Sequence, residues 1–439
     1  MKSIILLALA TLSFFQIGLL VDFYLLRKKK IVFNPAKFLG LGIGFLGLLQ
    51  LLLSVLKIFL SQSLVFIFYL LLSLPFIIDQ SLVSQIKMAY KKGVKKISII
   101  PLTLFSILLL IIIIQTFSHT IWGSDAYSYW LFKAKAYFID GLITQKNLVP
   151  FWAHDHPLLW SVTATWVYHF LGEASEYWFQ AIPLIIWINL IFVFYLYLPV
   201  KSFSQKIGLT SILALTPFLL ENVTSAEYAG NADLLVSFYF LLAIIYLFKK
   251  QLTYSGLFLF FASFTKSDAL PGVVVFWGLL VLGMIFLSRK TKLFLKPFLS
   301  LSILLVFHWF WKNSFGLKNR YLVNFLAESR PLGKYMWYTA HAFREEFRQL
   351  AHWGLGWWLS LFLVVINLKE LSKNKFLLGG FLIIIAQFLG YFLAYYLTPE
   401  NPASQIATSI FRLVLQMYPA TLFLASWMHY NKKSYANRN

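Results

Sequence analysis

The sequence predicts an all-α integral membrane protein, and two observations support this fold class. Hydrophobic residues make up 60% of the 439 residues, whereas charged residues make up only 12%. Soluble domains carry roughly 25% charged residues. Several apolar runs also reach about 20 residues, which is the length that crosses a bilayer as a helix. We therefore predict a polytopic helical bundle, with residues 1–439 forming a single transmembrane domain.

Each predicted span is an apolar run of helical length bounded by polar or basic residues. The first run begins like a signal peptide, but it continues too far and stops at Arg27-Lys28-Lys29-Lys30, so we interpret it as an uncleaved span. About 13 spans are predicted, at residues 3–26, 38–60, 62–78, 98–117, 181–199, 207–220, 232–248, 252–264, 269–288, 297–311, 354–368, 376–398 and 410–428.

Basic residues orient this bundle, because loops that face the cytoplasm collect Lys and Arg. With the cluster at 27–30 placed in the cytoplasm, alternation puts 24 basic and three acidic residues inside, and 14 basic and 13 acidic residues outside. The net charge of +22 is thus explained by orientation, and no nucleic-acid partner is required. We expect a multi-pass protein of the cell membrane, with its N-terminus outside and its C-terminus in the cytoplasm.

Three segments leave the count of spans open. The apolar run 157–172 would place basic loops outside if it crossed, so we predict a re-entrant or surface helix within an outer loop. The spans 207–220 and 252–264 are short. Omitting both gives an eleven-span alternative, which moves the acids of 221–233 inward and the lysines at 249–250 outward; charge favours thirteen.

Two long outer segments, at about 118–180 and 312–353, are dense in aromatic residues, as is typical of helices at the headgroup level. The first contains Asp125. If this segment is α-helical, Lys133 and Lys135 lie about 80° to either side of Asp125. An acid flanked by cations can act as a general base beside a bound phosphate. The alternative is an interfacial helix whose lysines extend to the headgroups.

The sequence His154-Asp155-His156-Pro157 suggests a metal site, because it combines two histidines with an acid. The two histidines are only two residues apart, however, and a solvated loop before a helix with Pro in its first turn explains the pattern equally well. No cysteine is present, which excludes disulfides, zinc–thiolate sites and thiol nucleophiles.

Polar residues also lie at the ends of later spans. Asp233 opens a span, and we interpret it as a helix cap. Lys266 and Asp268 lie between two spans; charges in such an apolar context are usually functional, and a mutual ion pair is the alternative. Arg412 has no acidic neighbour in the sequence. It is therefore our preferred phosphate ligand, with a membrane anchor as the alternative.

A glycine motif in the second predicted span resembles a dinucleotide-binding motif but does not indicate one. Gly42, Gly44 and Gly47 fit the dinucleotide-binding pattern, but they lie in an apolar span without a preceding strand. Gly40 and Gly44 instead predict a close contact between two helices, because small residues let helix backbones approach each other.

Five stretches together resemble the membrane glycosyltransferases of the C-type fold, in the branch related to bacterial protein O-mannosyltransferases and the lipid A aminoarabinose transferase. They follow the family's order over most of the chain: WGSDAYSYWLFKAKAYF at 122–138, HDHPLLWSVTATW at 154–166, EYAGNADLLVSFYFLLA at 227–243, FASFTKSDALPG at 261–272 and, more weakly, SIFRLVLQMYP at 409–419.

The resemblance implies roles for two residues. An acid in the first outer loop, here Asp125, would activate the acceptor or help to bind a metal, and a Lys in a TK motif, here Lys266, would lie near the phosphate of a carrier lipid. The family commonly pairs its first-loop acid with a second one. Here Ser124 and Ala126 flank Asp125, so Asp155 or Asp268 would have to supply the second carboxylate.

Residues and resemblance together predict an inverting glycosyltransferase that moves a sugar from a polyprenyl-phosphate donor to an acceptor outside the cell membrane. Asp125 would take the proton of the acceptor hydroxyl. No cofactor is predicted with certainty; a divalent metal held by Asp125 and Asp155 is possible. The predicted substrate- and phosphate-binding residues are Lys133, Lys135, Asp155, His156, Lys266, Asp268 and Arg412.

Two other functions stay open at this stage. A polysaccharide polymerase or ligase would depend on arginines of the second outer segment, namely Arg320, Arg330 or Arg344. A non-enzymatic flippase or transporter of lipid-linked sugar would carry ionisable residues in mid-span, whereas nearly all acids here are predicted at span ends or in outer loops.

Overall fold

Every regular element in the described part of the chain is helical, which confirms the predicted all-α fold class. The computed structural model describes residues 1–26, 32–94, 99–148, 156–286, 291–317, 332–398 and 401–431. The chain divides into two compact units. The first unit comprises residues 1–154, 158–193 and 221–232, and the second comprises residues 155–157, 194–220 and 233–439.

The α-helices are numbered in chain order. The first eleven are α1 (Lys2–Leu20), α2 (Pro35–Val55), α3 (Gln62–Ile78), α4 (Gln80–Val94), α5 (Ile99–Thr116), α6 (Phe132–Asp140), α7 (Gln145–Leu148), α8 (Leu159–Leu171), α9 (Glu176–Phe179), α10 (Ala181–Tyr197) and α11 (Phe203–Ala214). The others are α12 (Pro217–Thr224), α13 (Asp233–Phe248), α14 (Leu252–Thr265), α15 (Leu270–Phe286), α16 (Thr291–Ser314), α17 (Leu332–Arg348), α18 (Leu350–Trp353), α19 (Gly356–Val365), α20 (Lys369–Lys373), α21 (Lys375–Leu397) and α22 (Pro402–Tyr430).

Among the described residues, seven helices are long and apolar enough to cross a membrane, and two bent pairs raise this number to nine. The pairs are α3 with the start of α4, bent by 80°, and α11 with α12, bent by 56°. Four shorter apolar helices, Phe105–Thr116, α13, α14 and α19, occupy the other predicted spans. Each predicted span therefore coincides with an apolar helix or a bent pair, and the membrane character is borne out while thirteen crossings stay a prediction.

The predicted span 207–220 is broken rather than straight. Helix α11 ends at Ala214 and α12 begins at Pro217. Proline lacks a backbone N–H and clashes with the preceding turn, so a continuous helix through this position is disfavoured.

Helix α16 presents bare apolar surface. Ile303, Val306 and Trp309 on it are 68%, 63% and 67% exposed. In water, apolar surface of this extent is avoided unless another molecule covers it. A lipid environment removes the penalty, which agrees with the membrane character of the chain.

Helix α8 forms the centre of the first unit. All of its residues are buried, and it packs against α1, α2 and α6. Thirteen residues span about 20 Å, which is too short for a bilayer core of about 30 Å. The surface alternative for 157–172 is therefore wrong, because the helix is buried on all sides and forms part of the core. A re-entrant helix that does not cross the membrane stays a prediction.

Close packing of α1 and α2 depends on two glycines. A Cβ atom on Gly42 would lie 1.7 Å from the carbonyl oxygen of Phe14, and one on Gly18 would lie 1.8 Å from that of Phe38. A small-residue contact thus exists in this span, and it is made by Gly42 together with Gly18 on the facing helix. The contact predicted for Gly40 and Gly44 stays a prediction.

Helix α13 forms the centre of the second unit, as α8 does in the first. Each of its residues is buried, and it packs against α14, α21 and α22. Hydroxyls tie it to its neighbours: Ser237 donates to the Leu415 carbonyl at 2.5 Å, and Ser255 donates to the Ala243 carbonyl at 2.9 Å. This packing fixes Asp233, the first residue of α13, inside the unit.

Candidate functional site

The chain breaks at Lys266, between two apolar helices of the second unit. Helix α14 ends at Thr265, and Lys266 adopts an extended conformation with φ −143° and ψ 135°. A 3₁₀ turn at Ser267–Ala269 follows, and α15 starts with Pro271 in its first turn, where a missing N–H costs nothing. This local geometry places Lys266 and Asp268 side by side at the junction.

The ammonium group of Lys266 contacts two carboxylates. Lys266 Nζ donates to Asp233 Oδ1 at 2.9 Å and lies 3.4 Å from Asp268 Oδ2. Asp233 also accepts a hydrogen bond from Gln416 Nε2 at 2.6 Å. Arg412, one helical turn before Gln416, is close enough to interact electrostatically with both Asp233 and Lys266. These five residues are referred to below as the lysine cluster.

Neutral groups hold the lysine cluster in place. Tyr391 donates from its hydroxyl to Gln416 Oε1 at 2.8 Å. Gln387 donates to the carbonyl of Asp268 and accepts from the Gly272 amide at 3.0 Å. Because Tyr391 and Gln387 both belong to α21, this helix orients the acids and the amide of the cluster at the same time.

Burial and charge act in opposite directions on Lys266. Burial by itself lowers the pKa of this side chain, but the carboxylates of Asp233 and Asp268 outweigh it and leave the pKa above its ordinary value. Lys266 therefore stays protonated throughout the physiological range and can act as a permanent cation.

The structure brings Lys266, Asp268 and Arg412 together, as the enzyme hypothesis requires, and it shows the ion pair of Lys266 and Asp268 that was its alternative. Sequence reasoning missed the closer partner, Asp233, because it interpreted this acid as a helix cap. The signal that could have found it is an acid at the entrance of a fully apolar helix, where a partner charge is needed.

Asp125 lies in the first unit, on a segment held by backbone contacts. The amides of Trp122 and Gly123 both donate to the Ala226 carbonyl, at 2.9 and 3.1 Å. A Cβ atom on Gly123 would lie 1.8 Å from the Glu227 carbonyl oxygen, so this approach requires glycine. The segment then enters a helix at Asp125, which is half-buried.

The helix after Asp125 is not α-helical at its start. Residues Ala126–Leu131 form a π-helix, which has more residues per turn, so the predicted 80° placement of the two lysines is wrong. Lys133 is buried. Lys135 forms an ion pair with Glu176 and lies 5.1 Å from the ring centre of Tyr127. Turns of π-helix occur frequently at functional sites.

Three of the family-like stretches meet around this segment. Trp160 Nε1 donates to the Gly230 carbonyl at 2.6 Å, and Thr165 Oγ1 donates to the Ala134 carbonyl at 3.2 Å. Oδ1 of Asn231 is buried, and within the described residues it has no hydrogen-bond partner. Residues of 122–138, 158–166 and 227–231 thus form one cluster in the first unit.

The structure describes only part of the motif for which a metal site was predicted. His154 and Asp155 lie outside the described residues, and His156 is half-buried. Among the residues that the structure describes, no group of three or more His, Asp or Glu side chains could hold a metal ion. A metal that needs Asp155 stays a prediction.

Comparisons with family models, with curated proteins and with solved structures gave no match for this chain.

Proposed function

We propose that the protein is a membrane glycosyltransferase that uses a sugar linked to a polyprenyl phosphate. The observation that carries this proposal is the lysine cluster, where two cations, Lys266 and Arg412, converge on the buried Asp233 at the end of an apolar helix. Charges placed in such surroundings are costly and are usually retained for function.

The lysine cluster suits the phosphate of a lipid. Arg412 is permanently charged and can bind phosphate oxygens in a bidentate manner. Lys266 keeps its charge because its pKa is raised, and Asp233 fixes the direction of its ammonium group. As the sugar leaves the phosphate, negative charge develops on the phosphate oxygens, and the two cations stabilise it.

Asp125 supplies the base in this mechanism. Its carboxylate removes the proton of the acceptor hydroxyl, whose oxygen attacks the anomeric carbon from the side opposite the phosphate. The configuration at that carbon is therefore inverted. We propose that Lys133 and Asp268 border the substrates and that the reaction takes place on the outer face of the membrane, where lipid-linked sugars replace cytoplasmic nucleotide sugars as donors.

The test uses purified protein in lipid vesicles with a panel of polyprenyl-monophosphate sugars and membrane lipid extract as acceptor. Asp125→Asn keeps the size of the side chain but loses the base, so we expect transfer to fall by roughly 100-fold or more. Glu173→Gln is the matched control, since it neutralises an exposed acid of the same unit outside the cluster around Asp125. Full activity of Asp125→Asn would remove Asp125 from the mechanism.

The polymerase or ligase alternative depends on the arginines of the second outer segment. In the described part of that segment, Arg344 and Arg348 lie 2.8 and 3.4 Å from the exposed Glu345, which offsets their charge. Arg320 and Arg330 lie outside the described residues. Activity that requires Arg344 but tolerates Asp125→Asn would favour this alternative over the transferase.

A further inference from the structure

A carboxylate and an imidazole form a pair in the second unit that the proposed mechanism does not use. Glu346, near the end of α17, is 7% exposed. Its Oε1 accepts from His352 Nδ1 at 2.8 Å and from Trp353 Nε1 at 2.9 Å. An indole N–H can only donate, so this oxygen acts as an acceptor for both neighbours.

The hydrogen bond to Glu346 fixes the proton of His352 on Nδ1. The opposite ring nitrogen, Nε2, is then the position where the imidazole gains or loses a proton. The side chain is 34% exposed, and within the described residues Nε2 makes no hydrogen bond. The imidazole is therefore partly open to solvent.

Aromatic rings hold the imidazole in its orientation. The ring centres of Phe218 and Phe411 lie 5.7 and 6.0 Å from that of His352, and the ring of Trp353 is perpendicular to it at 6.3 Å. A fixed base–orienter pair with one accessible nitrogen is the arrangement that general acid–base catalysis requires.

Glu346 relies on its two hydrogen-bond donors rather than on a cation of its own helix. Arg344 and Arg348 on α17 contact Glu345 instead. From α12 and α22 the imidazole meets the uncharged rings of Phe218 and Phe411. A buried carboxylate needs hydrogen-bond partners, and His352 Nδ1 and Trp353 Nε1 supply them.

Helix α22 places this pair at the level of the lysine cluster. Phe411 contacts the imidazole, and Arg412, the next residue, interacts with Asp233 and Lys266. The same turn of one helix therefore carries a contact to His352 and a member of the lysine cluster.

We propose that His352, oriented by Glu346, is the general acid that protonates the departing phosphate; this inference rests on the proposed glycosyltransferase function. The acceptor oxygen loses its proton to Asp125 and bonds to the anomeric carbon. The bond from that carbon to the bridging oxygen breaks, and its electron pair stays on the phosphate. The proton of Nε2 moves to a phosphate oxygen, which leaves a neutral imidazole with its proton on Nδ1, and water restores the Nε2 proton.

The chemistry of the leaving group suits this residue. A phosphate monoester takes up its second proton with a pKa of about 6, so a phosphate oxygen can accept a proton near neutral pH. Lys266 and Arg412 hold their protons too tightly to serve as acids.

The experiment measures kcat and KM for the polyprenyl-monophosphate sugar that the wild-type protein accepts from the panel, between pH 5 and 9. His352→Asn can still donate to Glu346 but carries no transferable proton. We expect its kcat to fall by roughly 100-fold at pH 6 with little change in KM for the donor, and the decline of wild-type activity at alkaline pH to disappear. Glu346→Gln should lower kcat by less than His352→Asn does. It tests the same pair if His352→Asn fails to fold.

His341→Asn is the matched control, because His341 is an exposed histidine on α17. Unchanged kcat and pH dependence in His352→Asn and in Glu346→Gln would overturn the general-acid role while wild-type transfer keeps the proposed function intact. If His352→Asn instead removed the decline of activity at acidic pH, the ring would act as a base. That result would also overturn the general-acid role. A wild-type protein that transfers no sugar would contradict the proposed function itself.

Discussion

Lys266 and Asp233 form a buried ion pair whose partners lie 33 residues apart in the sequence. Removing one partner of such a pair leaves an uncompensated charge, which costs more than the intact pair contributes. Asp268 is more exposed than Asp233 and lies farther from the ammonium group. The two acids should therefore respond differently to the same substitution.

We predict that Asp233→Asn destabilises the protein by roughly 3–5 kcal/mol. Asp268→Asn, which removes a partly solvated partner, should cost no more than about 1 kcal/mol. Thermal unfolding in detergent micelles measures both variants against the wild type. Equal losses of stability in the two variants would contradict the assignment of Asp233 as the main partner of Lys266.

The stability difference between the wild type and Asp233→Asn should shrink as the pH rises. In the wild type the pKa of Lys266 is raised, so its stabilising contribution is complete below the ordinary lysine pKa and is lost only at higher pH. Without Asp233, burial lowers this pKa, and loss of the proton at rising pH relieves the uncompensated charge and restores part of the variant's stability. Melting temperatures at pH 7 and pH 9 test this; a difference independent of pH would contradict the assignment.

Sequence reasoning found one half of this cluster and missed the other. Lys266 and Asp268 are two residues apart, so local spacing predicts their contact. Asp233 reaches Lys266, and Gln416 reaches Asp233, only through the packing of separate helices, and no local pattern encodes that packing. The capping rule applied to Asp233 is likewise local and does not reveal a distant partner.

At the scale of elements, α1 and α2 show how small residues set helix packing. The backbone of Phe14 lies against Gly42, with no room for a methyl group. Helix association in membranes depends on such close contacts, because lipid supplies no hydrophobic driving force between helices.

We predict that Gly42→Ala destabilises the protein by roughly 1–3 kcal/mol, because its Cβ would overlap the Phe14 carbonyl and push the helices apart. Gly208→Ala is the matched control. No atom lies within 4 Å of its Cβ position in α11, so it should be neutral or stabilising by up to about 1 kcal/mol. Thermal unfolding of both variants in detergent checks this pair, and equal effects would contradict the contact.

Helix α8 and the π-helix after Asp125 mark the limits of sequence reasoning at this scale. Composition predicted an apolar helix at 157–172, yet burial on all sides depends on α1, α2 and α6. The π-helix begins three residues after Gly123, whose backbone packs against the Glu227 carbonyl through a contact distant in sequence. Helical periodicity of the sequence carries no sign of either.

At the scale of the whole molecule, charge predicts the orientation of the spans. The positions of the apolar helices agree with the sequence, because runs of about 20 apolar residues are unambiguous. Among the described residues, four of the apolar helices at predicted spans have fewer than 18 residues, and α11 and α12 are bent relative to each other, so length alone does not fix the number of crossings.

Single-cysteine labelling decides between thirteen and eleven spans, and the natural absence of cysteine makes it direct. Glu227→Cys and Lys250→Cys alter exposed positions. In intact cells we expect a membrane-impermeant maleimide to label position 227 and not position 250, which should react only after permeabilisation. The reverse pattern would support eleven spans.

The central claim is that Lys266 and Arg412 bind the phosphate of a polyprenyl lipid. Native mass spectrometry of the purified protein with polyprenyl phosphate, against polyprenol of the same chain length, tests it most directly. We predict that the wild type prefers the phosphate at least roughly tenfold and that Lys266→Ala and Arg412→Ala each abolish this preference, whereas Lys250→Ala keeps it. Equal binding of both lipids by the wild type, or a preference that survives both substitutions, would contradict the claim.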